Sequence, residues 1–93
     1  MPYYDITKER LRGASATLGV KLARQAVRKN ISVQELSRAV GATRQTVYRW
    51  FAGHVISPAY RNTVTQVLNI IAAAPNRDAA WSQLCATFPH LKP

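Results

Sequence analysis

The sequence predicts an all-α fold, a compact bundle of about five helices. Three observations carry this. Every apolar repeat along the 93 residues has the helical period, and none alternates as a strand would. Capping residues and prolines divide the repeats into short segments. One stretch, Ser32–Gly53, sets two such segments on either side of a single glycine.

Taken in order, Met1–Gly13 reads as an N-terminal arm or a partial helix. Tyr3, Tyr4 and Ile6 can pack, Lys8, Arg10 and Arg12 can touch phosphate, and Leu11 falls on one side with Leu18 and Leu22. From Ser15 to Lys29 the pattern is helical, with Leu18, Val20, Leu22, Ala23, Ala26 and Val27 covering one half of the cylinder. Lys21, Arg24 and Arg28 line a narrow stripe on the other half, read either as phosphate contact or as an ordinary solvated face. Asn30 is the expected stop.

Ser32 caps the next helix, and Glu35, three residues on, completes a capping box. Val33, Leu36, Ala39 and Val40 turn inward; Gln34 and Arg38 turn outward. Gly41 supplies the tight reversal, being free to take positive φ. Thr43 caps a second helix that ends before Gly53. At about 100° per residue, Val47, Trp50 and Phe51 share one side of it, while Arg44, Gln45, Tyr48, Arg49 and Ala52 share the other. An apolar anchor behind, with arginine, glutamine and tyrosine in front, makes the pair a helix-turn-helix. Its front presents the residue types that read base edges in a DNA major groove.

Ser57 as N-cap, with Pro58 at the first helical position, starts the following helix, along which Tyr60, Val64, Val67, Leu68 and Ile71 recur. Pro75 disfavours helical geometry at Ala74 and ends that helix near Ala73. Asn76 caps a last helix, with Asp78 near its positive end. Trp81, Leu84, Cys85 and Phe88 share one of its faces, and Pro89 stops it. That face either completes the monomer core or pairs with its twin. The chain thus divides into the arm (1–13), a helix-turn-helix core (14–74) and a C-terminal helix (75–93) that is the candidate dimer contact.

Thirteen Lys and Arg stand against four Asp and Glu, for a net charge of +9, and Glu35 is the only acid between Arg10 and Arg77. Such imbalance suits a polyanionic partner. A single cysteine excludes an internal disulfide and points to the cytoplasm. No apolar run approaches the ~18 residues of a membrane span, and the first ten residues lack the apolar core of a signal peptide. Enzymatic readings fail on inventory. His54 and His90 lie in separate irregular stretches with no acid at triad or metal spacing, Cys85 sits on an apolar face, and there is no Gly-rich phosphate loop. No catalytic residue, metal or cofactor is expected.

The small Ser37, the turn Gly41, the apolar Leu36, Val40, Ala42 and Val47, and the run from Thr46 through Trp50 to Gly53, followed by Pro58, form one pattern. It resembles the helix-turn-helix of the Cro/lambda-repressor-like (XRE) family of phage and bacterial transcription regulators. The motif spans Ser32–Gly53, with compatible helical context over Ser15–Ala73; Ser37 departs from the alanine that many members carry. The resemblance implies a sequence-specific double-stranded DNA-binding regulator, a small Cro-like repressor of phage or plasmid type that acts by occupying a promoter. Arg44, Gln45, Tyr48 and Arg49 are the candidate base-reading residues, arginine pairing with guanine and glutamine with adenine. Gln34, Thr43, His54 and Arg61 are candidate contacts to the DNA backbone. Regulators of this type read palindromic half-sites as dimers, which makes a homodimer on a palindromic operator the expected assembly. The alternative is an antitoxin-type protein-binding module of the same fold, which neutralises a toxin partner and also binds its own promoter.

Overall fold

In the computed structural model, residues 17–91 are described; the arm expected over 1–13 and the start expected at Ser15 lie outside the described residues. Among the described residues, five helices follow one another: α1 (Leu18–Arg28), α2 (Val33–Val40), α3 (Arg44–Phe51), α4 (Pro58–Ala73) and α5 (Arg77–Thr87), then a short 3₁₀ turn, Pro89–Leu91. Among the described residues there is no strand, and the fold is an all-α bundle.

Local chemistry sets nearly every boundary. Thr17 is extended, and its hydroxyl accepts from the Val20 N–H at 3.2 Å, which starts α1 at Leu18. Asn30, at φ 57°, ends it: the N–H groups of Asn30 and Ile31 donate back to the carbonyls of Val27 and Ala26. The capping box of α2 is complete, Glu35 N–H to Ser32 Oγ and Ser32 N–H to Glu35 Oε1, both at 3.0 Å. Gly41 takes φ 76°, and the Ser37 carbonyl accepts from the N–H groups of both Gly41 and Ala42. The Ser57 hydroxyl, expected as an N-cap, makes no capping bond; the fixed φ of Pro58 at the first position starts α4 instead. Ala74 is extended before Pro75, and Asn76 Oδ1 caps α5 by accepting from Ala79 N–H at 2.9 Å.

The core is wholly apolar among the described residues. Leu22, Leu36, Val47, Val64, Val67, Ile71 and Leu84 are fully buried, each stabilising the fold by roughly 1.5–3 kcal/mol. Trp81, Cys85 and Phe88 pack half-buried against this cluster, and the 3₁₀ turn adds Leu91 to it. The apolar face of α5 therefore serves the monomer core first. Val27, expected on the apolar half of α1, is 81% exposed; no described element covers that side of the last turn. No described helix is long and apolar enough to cross a membrane.

Among the described residues, three long-range ties close the bundle. The Lys29 ammonium donates to the carbonyls of Ile71, Ala72 and Ala74, capping a helix end that has no cation of its own. Arg77 forks onto Glu35 at 2.8 and 2.7 Å, so the acid that caps α2 also holds the start of α5. His90 Nε2 lies 2.7 Å from the Arg38 carbonyl, so the segment after α4 grips α2 at both ends.

The Arg77 fork, with help from the Ser32 groups, holds the Glu35 carboxyl below its ordinary value of 4.5, against the opposing effect of burial. A carboxylate lowered in the folded state stabilises fully above its unfolded pKa, and this contribution disappears as pH falls through the folded value. Glu35→Gln keeps an acceptor for Ser32 and loses the charge. Thermal unfolding at neutral and at strongly acidic pH should show a smaller acid loss for Glu35→Gln than for the parent. Equal losses would mean the fork contributes nothing measurable.

Candidate nucleic-acid interface

The helix best placed to present a surface is α3. The Thr43 hydroxyl caps it by accepting from Thr46 N–H at 3.1 Å, and lies 2.9 Å from the Thr46 hydroxyl. At its other end Gly53 takes φ 96°, with its N–H on the Trp50 carbonyl and His54 N–H on the Arg49 carbonyl. Behind, Val47 and Trp50 are buried, and the Trp50 ring meets Tyr60 of α4 at 5.4 Å between centroids. A side chain larger than hydrogen at Gly19 of α1 would sit 2.3 Å from the Trp50 carbonyl oxygen; α1 and α3 touch backbone to backbone there. The helix is thus seated by its tryptophan on two neighbours.

In front, Arg44, Gln45, Tyr48 and Arg49 are all exposed, the sidedness expected from the sequence. Arg44, Gln45 and Arg49 hold guanidinium and amide groups toward solvent, where a fork of donors matches guanine and an amide matches adenine. Val55 is 83% exposed and Tyr48 51%, so apolar surface is interleaved with the cations.

The expected backbone contacts separate into two groups. Arg49 and His54 line one recess with Thr46, Val55 and Tyr60, and His54 lines the next with Arg61 and the first turn of α1, at Thr17, Leu18 and Gly19. Arg49, His54 and Arg61 therefore follow one another along a continuous edge. Gln34 and Thr43 line neither recess: Gln34 is exposed in the first turn of α2, and the Thr43 hydroxyl is engaged in its cap. Reading the sequence missed two residues here. Val55, which borders both recesses, looked like linker between His54 and Pro58. Gly19 carried a signal, a glycine inside a helical repeat, where it costs roughly 0.5–1 kcal/mol unless close approach requires it.

Comparison of the chain with protein-family models, with curated proteins and with solved structures yields no match.

Proposed function

We propose that the protein is a sequence-specific double-stranded DNA-binding transcription regulator, with α2 and α3 working as a helix-turn-helix. In this reading it is a small Cro-like repressor that acts by occupying a promoter. The observation that carries the reading is the two-sidedness of α3: Val47 and Trp50 are locked into the core while Arg44, Gln45, Tyr48 and Arg49 all face outward. Arg44 and Gln45, in the first turn, reach base edges; Tyr48 and Arg49 follow one turn on. His54 and Arg61 extend the contact to the phosphates, with Gln34 and Thr43 beside the first turns of their helices. A net charge of +9 supplies the sequence-independent part of the affinity. Two copies would sit on the half-sites of a palindromic operator, ~34 Å apart, one duplex turn.

Selection of bound sequences from a pool of random duplex DNA tests this directly. The expected result is a short motif repeated with two-fold symmetry at that spacing. Affinity for the selected site should fall linearly on a log–log plot against salt, by ~0.9 per phosphate neutralised. A pool that returns no enriched motif would sink the reading of α3 as a base-reading helix.

A further inference from the structure

The cations of α1 are sorted by direction. Lys29 is spent on the carbonyls at the end of α4. Lys21, Arg24 and Arg28 are exposed. Gly19 marks the side of α1 that meets α3, because its Cα lies against the Trp50 backbone. At about 100° per residue, Arg24, Arg28 and Lys21 stand roughly 140°, 180° and 200° around the helix from Gly19. The stripe therefore faces away from α3.

Its surroundings suit a polyanion. Lys21 and Arg24 border a shallow recess with Gln25 of α1 and with Leu68, Asn69 and Ala72 of α4; its described lining supplies amide donors and holds no acid. Among the described residues the only acids are Glu35, held by Arg77, and Asp78, in the first turn of α5. From Lys21 to Arg28 the helix rises ~10 Å, which matches about three phosphates at ~3.4 Å per strand along a duplex.

We propose that this face of α1 is a second DNA-binding surface, engaging the phosphate backbone of a second duplex, so that a protein seated on one duplex through α3 bridges to another. The inference rests on α3 being the first DNA contact.

The experiment immobilises a duplex carrying the selected site, loads it with protein, washes, and adds a fluorescent duplex without the site. Wild type should retain the second duplex. With three phosphates at ~0.9 each, that retention should fall about 40-fold between about 50 and 200 mM salt. The variant Lys21→Gln with Arg24→Gln and Arg28→Gln should lose the second duplex while keeping the affinity and salt slope of the first. Lys21→Glu with Arg28→Glu should behave alike, and circular dichroism confirms that both variants fold. Second-duplex capture by the glutamine variant at the wild-type level would overturn the proposal and assign bridging to another surface. A flattened salt slope on the first duplex would also overturn it, by placing the stripe on the same DNA as α3. Wild type that binds the first duplex and never captures a second overturns the bridge alone; wild type that binds no duplex overturns the reading of α3.

Discussion

Gly19→Ala should unseat α3 and destabilise the protein by about 3 kcal/mol or more. In an ordinary helix interior the same change stabilises, by roughly 0.5–1 kcal/mol, since alanine restricts the unfolded chain more than glycine. Here the new methyl would meet the Trp50 carbonyl oxygen at 2.3 Å, its carbon at 2.7 Å and the Trp50 Cβ at 2.8 Å. Two of those three atoms are backbone, so no rotamer change relieves the clash; α1 and α3 must separate, and Trp50 must leave its seat against Tyr60. Denaturant unfolding reads the loss as a lower midpoint. DNA binding should weaken with it, because the presenting helix moves relative to Arg61 and His54. A variant with unchanged or raised midpoint would show that the two helices do not meet this closely in solution.

The second large effect leaves the fold alone. Arg44→Ala with Gln45→Ala should cost ~2–6 kcal/mol of affinity at the preferred site, taking 1–3 kcal/mol per bidentate contact and treating the two as additive. Both side chains are exposed, so the unfolding free energy should stay within ~0.5 kcal/mol of wild type. Binding to unrelated duplex, carried by phosphate contacts, should fall much less. Retained sequence preference in the double variant would remove these residues from the reading surface. Because one substitution acts through the frame and the other only through the face, the pair separates seating from reading.

What the sequence made legible was local. Ser32 with Glu35, Gly41, Thr43, Asn76 and the proline pair at 58 and 75 each act within four residues of themselves, and the helices end where those groups say. The sidedness of α3 was equally plain, since a fixed turn per residue converts spacing into direction. What stayed hidden was distant or cooperative. Nothing near Lys29 announces that it will cap a helix whose end lies more than forty residues on, at Ile71 and Ala74. Glu35 completes its capping box, yet its carboxylate also accepts both arms of the Arg77 fork. Val27 fits the apolar half of α1 by angle, but burial also needs a neighbour, and no described element supplies one. Trp81 and Phe88 raised the opposite ambiguity: an apolar face does not say from sequence whether its cover is this chain or another, and here the fold takes Leu84 fully and those two in part.

The grip of the C-terminal segment on α2 also orders events in time. Glu35 and Arg38 leave the ribosome long before their partners, since Arg77 follows Glu35 by 42 residues and His90 follows Arg38 by 52. A nascent chain that has reached Pro75 contains both α2 and α3, with their caps, but neither of the ties that fix the ends of α2. At synthesis rates of ~5–20 residues per second, the interval before those ties become available is on the order of seconds. Helices relax in about a microsecond or less, so that interval is long on the timescale of helix formation. Until Arg77 and His90 have been added, the two ends of α2 lack the ties that hold them in the folded protein.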